Sequence, residues 1–206
     1  MLPRLPGIFA LSKVKYMAVP ETIAIIGASG KVGRAIAAGL AGGAYRLLLV
    51  DKNEEELMKS LEVITPLHAD ADMAVCAEDA CWEADIVMLA VPFEERQEVA
   101  RFIRPVTTGK VVVSLADPLN GSGEGLVAGR DTGVEAELKK LLPYAKVVKV
   151  FNAGTSGYSG NPAVDGRRIA CFIAGEDEEA LKTVERIVRT AGFEPVRAGS
   201  PEAAQS

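Results

Sequence analysis

The residues best suited to chemistry are Gly27-Ala28-Ser29-Gly30-Lys31-Val32-Gly33, directly behind the apolar run Ile23-Ala24-Ile25-Ile26. A helical stripe of Val32, Ala35, Ile36, Gly39 and Leu40 follows. Strand, Gly-rich turn and helix in that order form a cradle for a pyrophosphate. Gly27 permits the tight turn, Gly30 lets the backbone approach the phosphates, and Gly33 allows strand and helix to pack closely. The first amides of the helix face the anion, with the helix dipole favouring negative charge, and Ser29 and Lys31 add donors. Glycines punctuate many turns, so the spacing alone is weak; its position between a strand and a helix makes it specific.

Asp51 lies 18 residues beyond Gly33, at the end of the second apolar run, Leu47-Leu48-Leu49-Val50. A carboxylate there accepts both hydrogen bonds from an adenosine ribose and repels a 2′-phosphate, which favours NAD over NADP. Lys52 beside it attracts a phosphate instead. A second reading of Asp51 is an N-cap for a helix beginning near Glu54. Ala90-Val91-Pro92 ends a further core strand, with Pro92 stopping it where the chain would pass beneath a dinucleotide; an ordinary strand terminus explains the same residues. His68 is the sole histidine and the obvious candidate base, but it falls far from the loops expected to meet substrate. Glu94 and Glu95 read as acids at a helix start rather than as an acid/base pair. No catalytic side chain is assigned.

These residues need a sheet to position them. Apolar runs at Ile23-Ala24-Ile25-Ile26, Leu47-Leu48-Leu49-Val50, Ile86-Val87-Met88-Leu89-Ala90-Val91, Val111-Val112-Val113, Val147-Val148-Lys149-Val150-Phe151 and Ile169-Ala170-Cys171-Phe172-Ile173 read as strands of a parallel sheet covered on both faces. Helical stripes alternate with them, a late one being Leu181, Val184, Ile187, Val188 and Ala191. The alternation predicts a Rossmann-type, doubly wound, mostly parallel α/β fold. Residues 1–20 read as an extension, with Met17 an alternative start, and 21–206 as one dinucleotide-binding domain with a nucleotide half (21–115) and a second-substrate half (116–206). Gly-rich stretches at 117–133 and 152–166 follow strand ends and are the expected walls for a second substrate.

Composition narrows the partners. A net charge of -5 gives no footprint for nucleic acid or an anionic membrane, and no uncharged stretch reaches the roughly 18 apolar residues of a bilayer span. Cys76, Cys81 and Cys171 are an odd set without C-x-x-C spacing, so neither a zinc site nor a disulfide framework is indicated and a cytoplasmic address is expected. Cys171, inside an apolar run, reads as a packing residue. The expected partner is a small-molecule hydride donor or acceptor, with a homodimer compatible with so short a chain.

From Thr22 to Ser200 the sequence resembles the F420-dependent NADP oxidoreductases, whose dinucleotide domain is shared with the STEAP-type metalloreductases. The resemblance is carried by Ile25-Ile26-Gly27-Ala28-Ser29-Gly30-Lys31-Val32-Gly33, by Ala84-Asp85-Ile86-Val87-Met88-Leu89-Ala90-Val91-Pro92 and by Val147-Val148-Lys149-Val150-Phe151-Asn152. The most discriminating block is Phe172-Ile173-Ala174-Gly175-Glu176-Asp177-Glu178-Glu179-Ala180 with the later Gly192-Phe193-Glu194-Pro195-Val196. It implies hydride transfer between the nicotinamide of NAD or NADP and a deazaflavin, F420, with Asn152 and Ala153 near the nicotinamide. A turn residue satisfying loop backbone explains Asn152 equally well. NADP-using members carry a Ser/Thr-Arg phosphate clamp after the second strand, where this chain has Asp51-Lys52-Asn53-Glu54. Two other functions fit the same residues: an NAD(P)-dependent dehydrogenase of a small organic acid or carbonyl, and a nucleotide-sensing module without turnover.

Overall fold

The computed structural model describes residues 19–67, 70–115, 131–152, 163–164 and 167–198. Its first half follows the predicted alternation: β1 (Glu21–Ile26), α1 (Lys31–Leu40), β2 (Tyr45–Val50), α2 (Glu54–Ile64), β3 (Asp70–Met73), α3 (Ala77–Glu83) and β4 (Ile86–Leu89). The second half continues with α4 (Phe93–Ile103), β5 (Val111–Leu115), α5 (Asp131–Leu141), β6 (Lys146–Asn152), the short pair β7 (Ala163–Val164) and β8 (Arg167–Arg168), β9 (Ala170–Gly175), α6 (Glu178–Thr190) and β10 (Glu194–Arg197).

Eight strands form one sheet in the order β10-β9-β6-β5-β4-β1-β2-β3. The chain winds outward from β1 through β2 to β3, then returns to β4 on the other side of β1 and winds the opposite way. That reversal leaves a crevice at the carboxyl ends of β1 and β4, where ligands of such sheets collect. Alternate residues of β1 enter opposite faces: Ile23 and Ile25 pack with α1, α2 and α6, while Ala24 and Ile26 pack with α3, α4 and α5. The two helical stripes predicted from sequence meet, since a Cβ on Gly39 would lie 3.2 Å from that of Ala191.

Two expectations need correction. The run at Ile169-Ile173 does form a strand, but β9 pairs antiparallel with β6, Val150 opposite Ile173 and Phe151 opposite Phe172. An antiparallel neighbour needs no helical crossover, unlike a parallel one. The Phe151 and Phe172 rings stack at 5.4 Å across this pair, and β10 then runs parallel to β9. The strand predicted to run on to Val91 ends at Leu89. The Ala90 amide still donates to the Ile26 carbonyl at 2.8 Å, but Val91 leaves the ladder and Pro92 becomes the residue capping α4.

Cys171 is buried, as expected, and so is Cys81; burial pushes both thiols up to about 12. In a thiol titration at mildly alkaline pH, half-buried Cys76 is expected to react in the folded protein while the other two wait for unfolding. The sign of the pH effect follows. The unfolded thiols ionise near 9.0 whereas the folded ones hold their protons to about 12, so stability is unaffected below that lower value and falls through the window above it. Urea melts at successive alkaline pH values would show the decline, and Cys81→Ala and Cys171→Ala should flatten it.

Candidate dinucleotide site

The turn after β1 is built by backbone demands that only glycine meets at two positions. Gly27 sits at φ 88°, the left-handed region that L side chains avoid, and a Cβ there would lie 2.6 Å from the Ala90 carbonyl oxygen. A Cβ on Gly33 would lie 2.1 Å from the Gly27 oxygen and 2.7 Å from the Ala28 Cα. Strand, turn and helix can therefore close on one another, and the carbonyl of Ala90, just past the end of β4, closes against Gly27. The amides of Gly27 and Ala28 both donate to the Val50 carbonyl, at 2.9 and 3.1 Å, tying the turn to the end of β2.

Gly30 differs. It caps α1 with φ -69° and ψ 163°, ordinary extended backbone, and the nearest atom to an added Cβ is the Gly27 oxygen at 3.3 Å. Gly30 and Lys31 are exposed. The fold imposes little on this residue, and a side chain would stand over the start of α1.

The electrostatics of α1 point the same way. Its N-cap residue is Gly30, which has no side chain to offer, and its first turn holds no acid. The helices α2, α3, α4 and α6 each carry two or three acids in the first turn, and Asn53 and Asp177 cap α2 and α6 through their side chains. Amides at a helix start require an acceptor, and acids there are stabilising. Among these five, α1 alone has neither an acid in its first turn nor a side chain on its N-cap residue.

Asp51 reaches this turn. Its Oδ2 accepts from the Ser29 amide at 3.0 Å and its Oδ1 from the Asn53 amide at 3.3 Å. The alternative of Asp51 as helix cap is overturned, because Asn53 caps α2 by accepting from the Glu56 amide at 3.1 Å. Lys52 Nζ donates to Glu95 Oε2 at 2.8 Å, which raises the lysine's pKa above its ordinary value. Glu94 and Glu95 open α4, as predicted.

Arg34 carries no signal in the sequence, being one charged residue on an amphipathic helix. Its Nε donates to the Ser29 carbonyl at 2.6 Å and its Nη2 to Glu56 at 2.9 Å. Lys59 and then Arg34 hold the Glu56 carboxyl below its usual range. The Ser29 residue is thus gripped on its amide by Asp51 and on its carbonyl by Arg34, which presets the turn. Arg96 is equally silent in sequence; buried at 4% exposure, it donates to the carbonyls of Val91 and Leu115 and so ties together the chain ends leaving β4 and β5.

Of the predicted residues, Gly27, Ala28, Ser29, Gly30, Lys31, Val32, Gly33, Asp51, Lys52, Ala90, Val91 and Pro92 gather around the carboxyl ends of β1, β2 and β4. Asn152 ends β6 opposite Cys171. Ala153, His68 and the stretches 116–130 and 153–162 lie outside the described residues. Those two stretches depart from β5 and β6, which are neighbours with Leu115 opposite Val150. Among the described residues no cluster of His, Cys, Asp and Glu could hold a metal ion, and no helix is long and apolar enough to cross a membrane.

Fold and site together define a Rossmann-type dinucleotide-binding protein. The family model for NADP oxidoreductase, coenzyme F420-dependent, matches residues 22–118. An F420-dependent NADP reductase of Methanocaldococcus jannaschii is 30% identical over 173 residues, covering 79% of this chain and 76% of the relative. The chain belongs to the F420-dependent NADP oxidoreductase family, a class of NAD(P)-dependent oxidoreductases. Among solved structures, a hypothetical protein from Sinorhizobium meliloti superposes with a TM-score of 0.69 at 22% identity, covering 92% of this chain and 89% of that one. An imine reductase of Streptomyces aurantiacus gives a TM-score of 0.66 at 15% identity over 90% of this chain, which spans 58% of that larger protein. These likenesses show the shared fold.

Proposed function

We propose that the chain passes a hydride between a nicotinamide dinucleotide, NAD in preference to NADP, and a deazaflavin or flavin-like acceptor. The observation that carries the nucleotide is the uncapped, acid-free start of α1 beneath Gly30, a cradle that a Cβ would fill. Family membership supports the acceptor, as does the name of the Methanocaldococcus relative.

The residues fit the cofactor. Gly30 and the amides opening α1 would hold the pyrophosphate, Asp51 the adenosine ribose, and Ala90, Val91 and Pro92 the underside of the dinucleotide. Asn152, the last residue of β6, and Ala153, next in sequence, would border the nicotinamide. Bound there, the nicotinamide supplies the hydride-carrying carbon. The protein's part is orientation and exclusion of water, which requires no proton-transferring side chain at the reacting carbons. Asp51 keeps an acceptor at the ribose and sets negative charge against a 2′-phosphate, which is the basis for preferring NAD.

Titrating the protein and F420 with NADH and with NADPH, and following the deazaflavin absorbance, tests the proposal. Oxidation of NADH coupled to F420 reduction is expected, faster than with NADPH at equal concentration. No redox change with either nucleotide would overturn it.

A further inference from the structure

The Lys52–Glu95 ion pair joins two parts of the chain that the sheet separates. Lys52 follows β2 and Glu95 lies in the first turn of α4, after β4, and β1 runs between those strands. The 2.8 Å contact therefore crosses over the carboxyl end of β1, beside the turn that leads into α1. Lys52 stays largely exposed, at 76%, against 39% for Glu95. The ammonium next to Asp51 is thus drawn toward α4, across the crevice and away from the position flanking the ribose carboxylate.

We propose that Glu95 is a specificity-determining residue: by engaging Lys52 it withholds from a 2′-phosphate the cation best placed to receive it, so that the Lys52–Glu95 strap biases the site toward the dinucleotide lacking that phosphate. The inference rests on the proposed nucleotide site and deepens it. Lys52 adjoins Asp51, the residue assigned to the ribose, and its Nζ reaches across the mouth of that site on a flexible four-carbon stem. A dianionic phosphate competing for the ammonium must first displace the carboxylate, whereas a ribose hydroxyl gains nothing by doing so. Glu98 and Asp51 also act on Lys52 through their charge, but Glu95 is its hydrogen-bond partner. Asp51 and Glu95 thus discriminate in two ways, one by repelling the phosphate and the other by occupying its partner.

The test is a double-mutant cycle on the full chain, with Glu95→Gln, Lys52→Ala and their combination, each titrated calorimetrically with NADH and NADPH at low salt. Exposed ion pairs shift equilibria by no more than about fivefold, so E95Q is expected to raise the NADPH-to-NADH affinity ratio roughly two- to fivefold. In the Lys52→Ala background the same substitution should leave the ratio unchanged, and added salt should shrink the effect. A ratio unaltered by E95Q while both nucleotides still bind would overturn the inference and leave the nucleotide site standing. An equal rise with and without Lys52 would also overturn it, because Glu95 would then act only as bulk negative charge. If neither nucleotide binds the unmodified protein, the site itself fails and the inference falls with it.

Discussion

Gly33→Ala is expected to destabilise the protein by about 3 kcal/mol or more, lowering the melting temperature by roughly 6–12 °C, whereas Gly30→Ala should leave the fold nearly untouched and weaken nucleotide binding at least about tenfold. The contrast comes from what each methyl would meet. At Gly33 it would lie 2.1 Å from a backbone oxygen and 2.7 Å from a backbone Cα, neither of which can swing aside, so β1 and α1 must separate. At Gly30 the contact is 3.3 Å with a single oxygen, which a small shift relieves. The cost there is the modest one of alanine in place of glycine at a helix cap, below about 1 kcal/mol. Circular dichroism melts read the first effect and calorimetric titration with NADH the second. Undiminished NADH binding by a folded Gly30→Ala protein would show that this turn is a purely architectural bend.

The second large effect is at Asp51. Replacing it with serine removes the ribose acceptor and the negative charge together, and should move the NADH-to-NADPH affinity ratio toward NADPH by about 2 kcal/mol, some thirtyfold. NADH binding should fall in absolute terms as well. The Ser29 amide loses the carboxylate that holds it at 3.0 Å and the Asn53 amide loses its 3.3 Å contact, so the preset turn loosens and Arg34 alone retains Ser29. Affinities for both nucleotides, before and after the substitution, decide the matter. Tighter binding of NADPH than NADH by the unmodified protein would remove Asp51 from its role as discriminator.

The features legible in the sequence were those that repeat or cluster. Runs such as Ile23 to Ile26 announce buried strands because both faces are covered, and the glycine spacing announces the turn because backbone collisions leave no other residue at Gly27 and Gly33. Of the eight strands of the main sheet, the two that escaped notice, β3 and β10, lie at its edges. Half of Asp70-Ala71-Asp72-Met73 faces solvent, and Glu194-Pro195-Val196-Arg197 is mostly exposed, so neither has the apolar run by which the others were recognised. The direction of β9 was hidden too, since a strand's composition reports burial rather than polarity. In the site, the roles of Arg34, Arg96 and Glu95 were missed because each also reaches a partner 22, 19 and 43 residues away respectively, across turns whose geometry no local pattern encodes. The cap of α2, expected at Asp51 on the second reading of that residue, falls to Asn53, whose side chain accepts from the Glu56 amide.

Those inconspicuous edge strands have a consequence for behaviour at high concentration. An open eight-stranded sheet offers two rows of backbone groups on which a neighbouring chain could crystallise as a further strand, the first step toward fibres. Here both rows are only four residues long. One is flanked by the carboxylates of Asp70 and Asp72, the latter paired with Arg46, and the other is interrupted by Pro195, which has no amide to give, and ends at Arg197, held by Glu178 and Glu185. Charge and a missing donor make each edge a poor template, so the sheet is closed to growth at both ends even though it never curls into a barrel.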